Sequence, residues 1–324
     1  SPASDRFYLM VDFFFVLSGF VIFLTYADRL GTAKRLQSYF AARLARIYPL
    51  HLLTLAFMLL VVAAAAVSGL RSDDPQQWSL SVLPAHLALV QAWGFYDRLY
   101  FNAPAWSISA EFFAYLLAPA LLPLARRTNL AQGLGLTVGA ILLFVALRRW
   151  LDLREPWTNA TYDFGMLRAL PEFFLGAVAA QAFRTRALRF RPGVWTIAVL
   201  LAGALAALHF GWRDEWAVAP LAALVPVVAL CERDGRFTTL VGPAARRLGD
   251  ASYALYMWHM AVLIPFAALA RRKGLIGSPA APFVAAALFL AILALSLATH
   301  AWFEAPIRAA MRRWFEQRFS RAPA

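Results

Sequence analysis

The chain has 324 residues, of which 61% are hydrophobic and 15% charged, with a mean hydropathy of +0.60. Soluble domains are roughly 45–50% apolar and about 25% charged, so an ordinary cytosolic globule and a disordered chain are both excluded. The formal charge is +13, but the arginines are spread over short segments between apolar runs. No basic face of the kind that binds nucleic acid is formed; the distribution reads instead as the positive-inside bias of a multi-pass membrane protein. A single cysteine, Cys231, precludes an intramolecular disulfide and, inside an apolar run, reads as a small packing residue.

In chain order, apolar runs at 10–27, 48–69, 104–125, 132–147, 164–183, 193–211, 215–231, 252–270 and 280–302 predict about nine transmembrane helices. Each suits a hydrocarbon layer of roughly 30 Å once tilt is allowed. The predicted fold class is therefore an all-α integral membrane protein, a polytopic helical bundle forming one domain over 1–324. A basic tail covers about 303–324. The run at 10–27 does not read as a signal peptide: only Arg6 precedes it, and Tyr26-Ala27-Asp28-Arg29 follows where a small-residue cleavage site would stand.

A tenth segment, 79–93, is shorter and contains Pro84, His86 and Gln91. If it does not span, the segments 28–47, 126–131, 184–192, 232–250 and 303–324 share one side and carry twenty of the 31 Lys and Arg, against ten on the other side, with Arg168 inside a span. If it does span, the split becomes thirteen against seventeen. The positive-inside rule selects nine spans, with the N-terminus outside and the C-terminus in the cytoplasm. Arg271-Arg272-Lys273 is the misfit, since it falls outside. An external start with Ser1 predicts one further helix upstream of this sequence.

Five strings then follow one another: Val11-Asp12-Phe13-Phe14-Phe15-Val16-Leu17-Ser18-Gly19-Phe20; Arg43-Leu44-Ala45-Arg46-Ile47-Tyr48-Pro49; Pro104-Ala105-Trp106-Ser107-Ile108-Ser109-Ala110-Glu111-Phe112-Phe113; Ser252-Tyr253-Ala254-Leu255-Tyr256-Met257-Trp258-His259; and Phe303-Glu304-Ala305-Pro306. In this order they closely resemble the acyltransferase 3 family of bacterial membrane O-acyltransferases, from about residue 8 to residue 314. The resemblance implies transfer of an acyl group, most simply acetyl, from cytoplasmic acyl-CoA to a hydroxyl of an extracytoplasmic glycan or glycan precursor. It also implies a multi-pass protein of the bacterial inner membrane whose partners are acyl-CoA, a hydroxyl-bearing acceptor and the bilayer. Family members begin with a helix carrying an Arg and a catalytic His, which would lie upstream of Ser1; on that expectation this chain alone lacks part of the catalytic machinery. The alternative reading is a polytopic transporter of a solute or lipid-linked sugar, without chemistry.

Individual residues carry these roles as follows. Arg43 and Arg46, at i and i+3, share a helix face, and guanidinium forks suit the phosphates of CoA; the resemblance implies a part for this pair in holding the donor, and anchoring at the membrane surface is the alternative. Glu111 lies about seven residues into its span, roughly 10 Å deep, where a charge demands a partner or a task. It is the candidate general base for the acceptor hydroxyl, or else a structural partner of Arg168. His259, also intramembrane, is the second catalytic candidate; a hydrogen-bonded core histidine is the alternative. Ser18 and Gly19 are candidates for lining a narrow donor passage, or for helix packing. Ser18 is not read as a nucleophile, because no Gly-x-Ser-x-Gly elbow is present. His51, His86, His209 and His300 read as structural or interfacial. Asp12 and Glu304 read as residues near span ends that cap or anchor, and Arg168 and Glu172, at i and i+4, as a mutual ion pair. No metal site is expected: no Cys, His and Asp cluster has ligand spacing, and neither His-Glu-x-x-His nor a phosphate-binding glycine motif occurs.

Overall fold

The computed structural model describes residues 4–69, 74–235 and 242–320, and these residues form helices, short helical turns and loops without a strand. Ser1, Arg71, the 236–241 part of the 232–250 segment and the last four residues of the tail lie outside the described residues. Twelve α-helices follow in order: α1 (Met10–Tyr26), α2 (Ala33–Val67), α3 (Leu83–Ala88), α4 (Ala105–Arg127), α5 (Leu130–Trp150), α6 (Gly165–Arg184), α7 (Val194–His209), α8 (Glu215–Arg233), α9 (Pro243–Asp250), α10 (Ser252–Arg272), α11 (Ala281–Thr299) and α12 (Ala305–Ser320).

Among the described residues, six helical segments are long and apolar enough to cross a membrane: α2, α4, α5, α8, α10 and the run from α11 into α12. Helices α1 and α7 are apolar but shorter, and α6 has the length but, with Arg168 and Glu172 inside it, not the apolarity. The structure therefore establishes a multi-pass helical membrane protein and leaves the count of nine spans as an expectation. The segment 79–93 holds a 3-10 turn at Leu80–Val82 and the six-residue α3, which is about 9 Å long; α3 ends on Leu89 in the left-handed conformation (φ 58°), and the segment does not reach across a bilayer.

Two boundaries differ from the sequence expectation. The 28–47 segment is not a loop for most of its length: α2 begins at Ala33 and runs unbroken through Pro49 for 35 residues. Proline removes one backbone donor from a helix, and a helix this long keeps its course through one missing bond. The final span likewise does not end at 302. Residues His300–Glu304 form a π-helical turn, and α12 continues directly from it.

The chain divides into two compact units, one of residues 1–36, 92–95 and 109–241, the other of 37–91, 96–108 and 242–324. In the first, α1 lies on α6, with α5, α7 and α8 around them. The approach of α1 to α6 is set by two glycines. A β-carbon on Gly19 would overlap the Phe173 carbonyl, and one on Gly176 would overlap the Val16 carbonyl. Met10 and Phe13 of α1 pack on a cluster of Ile197, Ala204, Leu221, Leu224 and Cys231, which gives the lone cysteine its packing role. Asn129 caps α5, and Gln132 returns the bond to the Asn129 backbone.

In the second unit, α10 packs on α11. Trp258 donates its indole N–H to Thr299 at 3.1 Å and meets Phe57 of α2 edge to face at 5.1 Å. Tyr253 donates to the Ile47 carbonyl at 2.6 Å. Large apolar side chains such as Leu143, Val199 and Phe283 face outward, as helices bathed in lipid require.

Candidate active site

In the first unit, Glu111 sits in the second turn of α4, where its Oε1 accepts the Ser18 hydroxyl of α1 at 2.8 Å. The same oxygen accepts a short hydrogen bond from the Tyr115 hydroxyl, one turn further along α4, and the Ser18 and Tyr115 hydroxyls are 3.5 Å apart. Glu111 is partly buried and Tyr115 buried. The expected alternative, an ion pair between Glu111 and Arg168, is not formed, because Arg168 is committed elsewhere. Gly19, next to Ser18, has its open side filled by the α6 backbone, so on that side it serves packing and leaves no passage. Tyr115 was missed by sequence reasoning, although its i+4 spacing from Glu111 placed it on the same helix face.

Arg168 is fully buried and gives Nε and Nη2 to the two carboxylate oxygens of Asp12 at 2.8 and 2.7 Å. Its guanidinium lies 5.8 Å from the Tyr8 ring centre. Two expectations are corrected here. Asp12 is no helix cap; it is the buried partner of Arg168. Arg168 and Glu172 do not pair with each other: Glu172 lies beside Asp12 and both its carboxyl oxygens are buried without a hydrogen-bond donor. Two acidic side chains compete for one guanidinium, and Asp12 has the bidentate geometry. Above this cluster in sequence, Tyr8 donates to Asp214 at 2.8 Å, and Thr158 and Arg6 converge on the same carboxylate. Burial, and then the Asp214 carboxylate, push the Tyr8 hydroxyl up to about 12.

In the second unit, Arg46 pairs through Nη1 with Glu304 Oε1, and its guanidinium carbon stands 5.3 Å from the Tyr253 ring centre. Glu304 is therefore not a terminal anchor. The π-helical turn brings its buried carboxylate to Arg46, with His300 Nδ1 3.2 Å from the other oxygen, Oε2. Arg43, one turn before Arg46, is partly buried on the same helix. His259 has Nδ1 2.6 Å from the Tyr256 carbonyl. A carbonyl only accepts, so Nδ1 carries the hydrogen and Nε2 presents a lone pair. The Tyr256 hydroxyl lies 2.8 Å from the Ser107 hydroxyl. His51 and His86 are buried and stacked, ring centres 6.3 Å apart, with His51 Nε2 donating to the His86 carbonyl at 2.9 Å; His51 Nδ1 and both ring nitrogens of His86 are buried without a hydrogen-bond partner among the described residues. Among the described residues no three His, Cys, Asp or Glu side chains are grouped to hold a metal ion.

Comparison with known proteins places these motifs. Residues 6–301 match a family described as an acyltransferase domain. The chain is similar to the acyltransferase MdmB of Streptomyces mycarofaciens, at 29% identity over 79% of this chain and 68% of that protein. Protein 2 in the picA locus of Rhizobium radiobacter is 35% identical over 45% of this chain and 80% of its own length. Nodulation protein 10 of Rhizobium leguminosarum bv. viciae is 26% identical over 78% of this chain and 71% of its own. No solved structure matches the chain. A family match that runs through both units, over helices that carry buried and partly buried acids, arginines and a histidine, makes this chain a member of the acyltransferase 3 family and a membrane-embedded acyltransferase.

Proposed function

We propose that the protein transfers an acyl group, acetyl in the simplest case, from cytoplasmic acyl-CoA to a hydroxyl of an extracytoplasmic glycan or glycan precursor, within the bacterial inner membrane and with its C-terminus in the cytoplasm. The observation that carries this reading is the Ser18 hydroxyl resting on Glu111 Oε1 at 2.8 Å. An acceptor hydroxyl would take that position on the same oxygen. Glu111 then acts as general base. The hydroxyl oxygen attacks the thioester carbonyl while its proton passes to Glu111; collapse of the tetrahedral adduct forms the ester, breaks the C–S bond and releases CoA, whose thiolate is protonated as Glu111 gives its proton back. The Tyr115 hydroxyl holds the carboxylate in one rotamer through its short bond to Oε1.

Arg43 and Arg46 are assigned to the phosphates of the donor. His259, with Nδ1 tied to a backbone carbonyl and Nε2 presenting a lone pair, is assigned a proton-handling role. The acyltransferase neighbour MdmB and the family match support the reaction class; donor, acceptor and sidedness belong to this proposal.

The test is transfer of label from [14C]acetyl-CoA to glycan in native membranes. Label is expected with the wild-type protein and is expected to fall about 10²-fold or more in Glu111→Gln, the range of general base catalysis. Undiminished label in Glu111→Gln would remove the carboxylate from the chemistry, and no label with wild type would remove the acetyl-CoA to glycan reaction.

A further inference from the structure

A second arginine reaches Glu304 from a helix outside the family match. Arg308 of α12 lies one turn beyond Glu304, and its Nη1 is 3.6 Å from the same oxygen, Oε1, that Arg46 engages. Two guanidiniums from two different helices, α2 and α12, thus converge on one carboxylate oxygen. The carboxylate is buried, whereas the side chains of Arg46 and Arg308 are 30% and 39% exposed. Among the described residues neither guanidinium has a second carboxylate within 4 Å.

The charge balance follows. One carboxylate neutralises one of two guanidiniums, and His300 draws on it as well. Each guanidinium carries five N–H donors, and contact with a single oxygen leaves most of them pointing away from Glu304. Arg46 is further fixed by the Tyr253 ring, itself held through its hydroxyl by the Ile47 carbonyl. The result is a preorganised pair of forks with unspent positive charge, the arrangement that suits tetrahedral phosphate oxygens.

We propose that Arg308 and Arg46, held together by Glu304, form a phosphate-binding site, and that Arg308 is a ligand-contacting residue of it. The ligand class is a phosphate ester, which the acyl donor's nucleotide or an anionic lipid headgroup would supply. The donor arm rests on the function proposed above; the phosphate site itself does not.

The experiment uses the whole protein in lipid nanodiscs, as wild type, Arg308→Ala and Arg308→Lys, with two thioesters: acetyl-CoA, and the acetyl thioester of N-acetylcysteamine, which has no phosphate. Arg308→Ala is expected to raise KM for acetyl-CoA about tenfold, the loss of one charge-assisted contact worth about 1.4 kcal/mol. It should leave kcat, and the KM of the phosphate-free thioester, within about twofold, with partial recovery in Arg308→Lys. In parallel, native mass spectrometry counts phosphatidylglycerol retained by each variant. Loss of retained phosphatidylglycerol in Arg308→Ala, with KM for acetyl-CoA unchanged, supports the site with a lipid as its ligand. Equal loss with both thioesters would mark Arg308 as a structural prop and overturn the proposal. So would unchanged KM together with unchanged lipid retention. If wild type turns over neither thioester, the proposed function fails, and lipid retention alone decides the phosphate site.

Discussion

Asp12→Asn and Glu172→Gln each remove one acid from the same buried cluster, yet their effects should differ sharply. Asp12 supplies both acceptors to Arg168, at 2.8 and 2.7 Å, with both side chains out of contact with solvent. Breaking a buried pair by removing one partner costs about 3–5 kcal/mol, because the remaining charge stays buried. That corresponds to a loss of roughly 150-fold to about 4,000-fold in the folded-to-unfolded ratio. Glu172, one turn along α6, accepts from no donor and lies beside Asp12. A glutamine there is nearly the same shape, carries no charge, and can donate its amide N–H to the Asp12 carboxylate. Glu172→Gln should therefore cost less than about 1 kcal/mol or stabilise the protein. The assay is unfolding in a defined detergent, followed by the surviving monodisperse fraction on size exclusion against temperature. The double variant Asp12→Asn/Glu172→Gln adds a control: if Arg168 turns to Glu172 when Asp12 is lost, the double variant is less stable than Asp12→Asn alone. Equal destabilisation by the two single variants would refute the assignment of Arg168 to Asp12.

Further expectations follow from the same geometry. Gly19→Ala and Gly176→Ala each force a methyl group into a facing backbone carbonyl, so each should lower the unfolding midpoint more than Gly135→Ala, where a β-carbon meets nothing within 4 Å; parallel melts of the three variants decide it. Ser18→Ala should keep at least a tenth of the acyl-transfer rate, because the acceptor hydroxyl replaces the seryl hydroxyl on Glu111, whereas Tyr115→Phe frees the carboxylate and should lower kcat with little change in KM. Initial rates in membranes separate these two outcomes, and the opposite ranking would reverse the roles of Ser18 and Tyr115. Trp258→Phe removes the bond to Thr299 and should cost about 0.5–1.5 kcal/mol, read from the same melts, with kcat unaffected.

The class of fold and the family were legible in the sequence because both are written locally: apolar runs of span length, and short strings whose order survives without any knowledge of contacts. The contents of the clusters were not. Arg168 and Asp12 are 156 residues apart, and Ser18 and Glu111 are 93 apart, so i,i+4 spacing paired Arg168 with Glu172, and Arg168 was also given to Glu111 as its structural alternative. Glu304 read as a terminal anchor because hydropathy does not register a π-helical turn, and that turn is what carries the side chain inward. The first turns of α2 read as a loop because 28–47 is charged and hydropathy marks only the apolar run from 48; the helix in fact begins at Ala33 and continues through Pro49.

The length of α2 has a mechanical meaning of its own. At 1.5 Å per residue its 35 residues reach about 52 Å, against roughly 30 Å of hydrocarbon. The helix therefore works as a rigid spindle: the turns that carry Arg43 and Arg46 and the turn that carries Phe57 to Trp258 are phased by one uninterrupted screw. Adding a single residue between them would swing the arginines by about 100° around the axis, turning Arg46 away from Glu304 while leaving every side chain of the site unaltered. The angular setting of the Arg46–Glu304 contact is thus fixed by a residue count, and a length change between Arg46 and Phe57 would act there as surely as a substitution.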